Sequence, residues 1–341
     1  MRYRQVGTSS VQVSEVTFGT GDTAGGIIYG SEREQQALVE RALELGINTF
    51  DCSPDYGKGL GEGNLGRVLR ELRCSDPVII TKVEIMEEDL DRIPAKIAQS
   101  INDSLLRLQR DHVDILMLHN PIRMIQDASV RVWMRLSPET VLDQVLPALV
   151  NVRQQGKTRV LGLACESSET AAVERVLATG QFAMLNAWYN MANPTAALAL
   201  DGYPPERDYR GLFDAAMRHD VSVAVIRPLA GGALTDAMTE RGAAARHALS
   251  RGIFREHPDL LDPELERGRA LRFLSGAGGT LSEAAYRYVL AHPAVCTVIG
   301  GFSALDHVNE AAAAVDKGPL SEAQRDRILQ VQQAQFSLAA T

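Results

Sequence analysis

Eight short apolar runs, each followed by a stretch of helical periodicity, recur from one end of the chain to the other. They are Val16–Gly19, Ile47–Asp51, Val78–Lys82, Val113–His119, Arg159–Ala164, Phe182–Ala187, Val221–Arg227 and Val295–Gly300. Most are continuously apolar rather than alternating, as expected of parallel strands covered on both faces. Parallel neighbours cannot be joined by a tight hairpin, and each gap here carries a helix-length crossover. Ser31-Glu32-Arg33-Glu34 reads as a capping box that opens a helix over Gln35–Leu45, stopping at Gly46. Ser137-Pro138 opens another, with proline in the first turn where no N–H is needed. Helical patterns also cover Leu60–Leu72, Asp89–Leu108, Ser168–Ala178, Arg207–His219 and Leu281–Ala291, then Ser303–Val315 and Ser321–Gln333. The chain is therefore expected to be an α/β protein, a (β/α)8 TIM barrel forming one domain over residues 1–341, with a doubly wound open sheet as the alternative. Asn120–Leu136 and Leu229–Thr280 exceed ordinary connections. Such long loops belong at the C-terminal mouth of a barrel, where they build a pocket or a lid.

Composition narrows the function. With 35 basic and 43 acidic residues, a net charge of −8, the chain lacks the basic face that binding nucleic acid requires. Its four cysteines are scattered without a C-x-x-C pair, so neither a zinc site nor a disulfide framework is expected. Met1–Ser10 lacks the apolar core of a signal peptide, and no run approaches a membrane span. A cytoplasmic protein is the expectation, with no membrane partner and an oligomeric state the composition does not express.

Gly61-Glu62-Gly63-Asn64-Leu65-Gly66 matches the dinucleotide-binding pattern G-x-G-x-x-G, with Glu84 following downstream. That pattern needs a strand running straight into the first glycine, whereas the polar segment Cys52–Leu60 intervenes here. Loop and helix-packing glycines are the better reading. A stronger signal is that three successive runs each end in an ionisable residue: Asp51, Lys82 and His119. In a barrel these ends converge on one mouth, where catalytic groups sit. Tyr56 adds a phenol from the loop after Asp51. A lysine cation beside a phenol favours the phenolate and lowers its pKa, and a carboxylate keeps that lysine charged and aimed. A histidine alongside can orient a carbonyl oxygen or relay the proton. Such a group can protonate a ketone oxygen as hydride arrives at carbon, or run the reverse oxidation. It offers no nucleophile–base pair for acyl transfer and no metal-ligand spacing.

At these residues the chain resembles the aldo-keto reductase family, over nearly its whole length. Tyr3–Ser9 and Val13–Thr20 look like that family's N-terminal hairpin and first strand. Asp51-Cys52-Ser53-Pro54-Asp55-Tyr56-Gly57 is similar to its D-T-S-P-x-Y-G motif, and Ile80-Thr81-Lys82 and Leu118-His119 to its lysine and histidine segments. The resemblance implies a barrel with an N-terminal β-hairpin, a nicotinamide cofactor (NADP by family default, or NAD) and reversible reduction of a small-molecule carbonyl to an alcohol. It makes Tyr56 the proton donor, tuned by Lys82 and Asp51, with His119 orienting the carbonyl. The cofactor would be held by Gly19, Thr20, Asp51, Asn186, Arg227, Leu229, Gly301, Ser303, His307 and Glu310. Several of these depart from the family pattern. Ala164-Cys165 stands for Ser-Asn, Asn186 for Gln, Ile226 for the stacking aromatic, and Arg227 for Ser. Gly301 and His307 replace the cations on the 2′-phosphate, and losing such charge favours NAD(H) unless an arginine compensates. Arg227 and the arginines of Arg241–Arg272 are the candidates, the latter being otherwise a solvated lid helix pair. Met124, Trp133 and Trp188 are candidate pocket residues, while Cys165, His219 and His292 read as packing, helix-end or surface residues. A nucleotide-binding regulatory subunit on the same fold, or a lyase or dehydratase using the same acid–base groups, remains open.

Overall fold

All eight expected strands form, and they close on themselves. The computed structural model describes residues 1–124, 134–251, 261–276 and 279–337, so Trp133 and parts of both long loops lie outside the described residues. Strands β1 (Tyr3–Gln5) and β2 (Gln12–Ser14) pair as an antiparallel hairpin. Strands β3 (Val16–Gly19), β4 (Thr49–Asp51), β5 (Val78–Val83), β6 (Val113–Leu118), β7 (Thr158–Ala164), β8 (Met184–Trp188), β9 (Ser222–Ile226) and β10 (Val295–Gly301) form the barrel in chain order. Parallel pairing of β10 with both β3 and β9 closes it, which excludes the open sheet. Each barrel strand is followed by helix, as its buried-on-both-faces composition requires.

Two apolar cores result. The larger lies between strands and helices. The smaller fills the barrel with Ile80, Ile115, Met117, Val160, Met184, Ala224 and Ile299, and the hairpin residues Val6, Val11 and Val13 join it from below. These interior residues set the register of the mouth. Side chains alternate along a strand, so two residues beyond Ile80, Met117 and Met184 the same inward face presents Lys82, His119 and Asn186.

Boundaries moved where side chains or backbone intervene. β6 ends at Leu118, yet the His119 N–H still donates to the Val83 carbonyl at 2.8 Å, so His119 keeps its strand-end position. β9 ends at Ile226 because Arg227 takes φ 55°, a left-handed turn that leaves the sheet. The helix expected from Asp89 starts at Ile93, with Pro94 in its first turn. Asp89 instead accepts from the Met86 N–H and pairs with Arg92 and Lys96, closing a separate turn. Gly61, Gly63 and Gly66 sit inside the helix Leu60–Glu71, as helix glycines rather than a phosphate loop. The long loop after β6 is pinned at both ends by Asn120, which accepts from Ile85 N–H and donates to the Ile85 and Met134 carbonyls. Among its described residues, the insertion after β9 is not a solvated pair of helices. Its helices Asp236–Arg241 and Asp262–Ala270 bury Met238, Leu261 and Leu265 in the main core.

Candidate active site

Asp51 and Lys82 leave adjacent strands with both side chains buried, 3% and 1% exposed. The Lys82 ammonium donates to both Asp51 carboxylate oxygens and to the Cys52 carbonyl, each at 2.8 Å, which satisfies all three of its N–H groups. Burial favours the neutral amine, but the Asp51 charge, the Asp51 hydrogen bonds and the neighbouring Tyr56 together outweigh it and hold the Lys82 pKa above that of an ordinary lysine. Tyr56 begins the short turn Tyr56–Gly59, and the Lys82 Nζ lies 4.8 Å from its ring centroid. As its place beside the phenol predicts, Lys82 acts to lower the Tyr56 pKa, but it is outweighed. Burial pushes the phenol up to about 12, with Asp51 adding to the rise. The His119 ring meets Tyr56 edge-on, 6.2 Å between centroids. The structure thus brings the four expected catalytic residues to one place at the mouth.

Two further acids stand there that are not among the expected site residues. The His119 Nδ1 lies 3.2 Å from the Asp55 carboxylate, and Asp55, Glu84 and His119 offer donor atoms within 4.8 Å of one another. Three such donors are the minimum for a cation, but the hydrogen bonds that Asp55 accepts from His119 and from Glu84 already account for their closeness. Burial and the Asp55 charge push Glu84 up to about 7. Burial also acts on Asp55, yet its hydrogen bond with His119 holds it below the usual carboxylate range. The signal was available: Ile80, Lys82 and Glu84 share one strand face at a period of two.

The expected cofactor positions lie near or after the ends of β3, β4, β8, β9 and β10. Gly19 pairs with Gly301 across β3 and β10, and a Cβ at Gly19 would come 3.0 Å from the Gly300 carbonyl oxygen. The Thr20 hydroxyl and N–H both donate to the Asp51 carbonyl, at 3.1 and 2.9 Å. The Asn186 Oδ1 is buried and has no hydrogen-bond partner, as is the Trp188 indole N–H. Arg227 pairs with Glu166 at 3.3 Å and lies over the Trp188 ring, which Arg207 also covers. Leu229 packs on the main core beside the turn Ala230–Gly232. At the far end Ser303 donates to the Ala24 carbonyl at 2.6 Å, His307 accepts from the Ser303 N–H, and Glu310 is bonded to Thr280. The insertion reaches this end: Ser250 bonds to the Thr23 carbonyl, the Arg251 N–H to that of Asp22, and His247 meets His307 edge-on.

The pocket candidates separate. Trp188 is buried under its two arginines, whereas Met124 is 43% exposed and accepts from Arg175. Tyr189 stacks on Tyr288 and packs on Phe213 and His292, a core role. Cys165 is fully buried, and burial alone raises its thiol pKa far above the ordinary value, as suits a packing residue.

A family model described as the aldo/keto reductase family matches residues 15–333. The L-galactose dehydrogenase of Arabidopsis thaliana is 30% identical over 320 residues, covering 92% of this chain and 87% of that protein. A probable voltage-gated potassium channel subunit beta from the same plant is 27% identical, over 94% of this chain and 93% of that protein. Among solved structures, the holo form of aldo-keto reductase AKR11C1 from Bacillus halodurans superposes with a TM-score of 0.70 at 28% identity, covering 97% of this chain and 96% of that one.

Proposed function

The chain belongs to the aldo/keto reductase family, and from that premise we propose that it reduces an aldehyde, ketone or sugar carbonyl reversibly to the alcohol, with Tyr56 as proton donor. The observation that carries this reading is the buried Lys82–Asp51 pair set against the Tyr56 ring at the barrel mouth. A bound nicotinamide supplies or takes up the hydride. Asn186 suits such a group, because its buried and unpartnered Oδ1 is an acceptor waiting for a carboxamide N–H. With its pKa near 12, Tyr56 holds its proton at neutrality and can give it to the developing alkoxide. Lys82 then lies beside the phenolate that forms, and Asp51 keeps Lys82 charged throughout. His119 orients the substrate oxygen. Discrimination between the two nicotinamide dinucleotides is weak, since Gly301 and His307 offer no fixed positive charge to a 2′-phosphate.

The test follows oxidation of NADPH and of NADH with a panel of aldehydes, ketones and sugars, in wild type and Tyr56→Phe. Wild type turns over. The phenylalanine variant binds cofactor but loses about 10²–10⁴-fold in rate, the usual contribution of a general acid. Retention of more than about a tenth of the rate removes Tyr56 from this role. A second reading, a nucleotide-binding regulatory subunit, is favoured only by the similarity to the probable channel subunit. It requires tight cofactor binding without turnover on any carbonyl.

A further inference from the structure

We infer that Asp55 and Glu84 act as a carboxylate pair that positions His119 and selects which hydrogen-bonding form its ring presents to the substrate oxygen. The inference rests on the proposed reaction, in which His119 faces that oxygen. Three successive strand ends supply the group: Asp55 from the loop after β4, Glu84 immediately after β5, and His119 immediately after β6. Asp55 is itself anchored, its carboxylate accepting from the Ser53 hydroxyl at 3.1 Å and its N–H donating to the same oxygen at 3.3 Å.

The chemistry follows from what each atom can do. An ionised carboxylate only accepts, so the His119 Nδ1 at 3.2 Å from Asp55 carries the hydrogen. The ring's other nitrogen, Nε2, is then a bare lone pair when the imidazole is neutral and an N–H donor when it is charged. The lone pair can accept from an alcohol, which suits oxidation. The N–H can donate to a carbonyl oxygen, which suits reduction. Asp55 therefore fixes the ring's tautomer, and the charge on the carboxylate pair biases the choice between the two forms.

Glu84 provides that bias around neutrality. Burial and the Asp55 charge hold it to about 7, where Lys96 on the helix Ile93–Leu108 acts in the opposite direction. Lys96 is also tied to Asp89 at 2.8 Å. Below that pH the pair carries one negative charge beside the ring, and above it two. The second charge adds to the pull of the pair on a ring N–H, and so to the donating arrangement that suits reduction. Asp51 and Lys82 neutralise each other beside Tyr56, and the Glu166 charge, paired with Arg227, acts on Tyr56 only weakly.

The test compares wild type, Glu84→Gln, Asp55→Asn and Asp55→Glu by two measurements. In the first, ¹⁵N spectra of the His119 ring, assigned with His119→Asn, report which nitrogen carries the hydrogen. Wild type and Asp55→Glu show Nδ1–H, and Asp55→Asn loses that preference. In the second, the ratio of wild-type to Glu84→Gln kcat/KM for reduction is followed with pH. The ratio stays flat below about pH 6 and climbs by about tenfold as Glu84 ionises. An unchanged ring spectrum in Asp55→Asn, or a ratio independent of pH, overturns the inference. A wild-type protein that reduces no carbonyl overturns the proposed reaction instead, and the ring spectra still decide whether Asp55 holds the tautomer.

Discussion

Lys82 has no route to water, and that makes its pairing with Asp51 a condition of folding as well as of chemistry. Removing one partner of a buried pair strands the other charge, at a cost of about 3–5 kcal/mol. Lys82→Met should therefore lower stability by about that amount, and Lys82→Met with Asp51→Asn should recover more than half of it. Urea unfolding of the three proteins checks this; additive losses would mean the two residues do not share one ion pair. The same substitution should move the alkaline onset of alcohol oxidation to still higher pH, because Lys82 is the group opposing the rise in the Tyr56 pKa. An unchanged onset would leave Lys82 a purely structural strand end. Motif spacing made these residues legible but not the state of the phenol. Whether a lysine nearby outweighs burial depends on how much solvent the loop after β4 excludes, which is a tertiary quantity.

Among the elements, the glycine-rich helix Leu60–Glu71 separates what a motif suggests from what packing uses. Gly66 lies against the neighbouring helix, and a Cβ there would come 2.6 Å from the Leu108 carbonyl carbon and oxygen. Gly63 faces open space, with nothing within 4 Å. Gly66→Ala should destabilise by about 1–3 kcal/mol through forced separation of the two helices. Gly63→Ala should instead stabilise by about 0.5–1 kcal/mol, since alanine costs less backbone entropy in a helix. Thermal unfolding reads both, and equal effects at the two positions would show that neither is a packing contact. Between these glycines Glu62 is fully buried, held by Arg107 at 2.7 Å and by Thr81 on β5. The acidic residue inside the motif thus serves the seam between helix and barrel.

On the scale of the whole molecule, the proposed cofactor channel draws on both ends of the chain. The loop after β3, the insertion after β9 and the helix Leu305–Lys317 after β10 meet at Ser303, His307 and Ser250. A charged hydrogen bond to phosphate contributes about 1.5–3 kcal/mol. His307→Arg should accordingly tighten NADPH by about tenfold or more and leave NADH nearly unchanged, as read by fluorescence titration. Gly301→Lys is the poorer choice, because a Cβ at Gly301 would already come 2.9 Å from the Ala24 Cβ. Should wild type bind NADPH about a thousandfold more tightly than NADH, the fixed charge lies elsewhere, and truncating Arg227 and Arg251 in turn would locate it.

Local pattern by itself determined the eight strands, their parallel order and the mouth on which Asp51, Tyr56, Lys82 and His119 converge. Period and strand ends are properties of consecutive residues, and the crossover rule makes the strands parallel, whereas closure of the barrel came only with the pairing of β10 and β3. Tertiary structure alone decided the rest. It set the burial that raises Tyr56, the meeting of Asp55 with Glu84 and His119, and the packing of the insertion's helices into the core. Those outcomes depend on distances between residues far apart in the chain, and on how much water the closed barrel leaves between them.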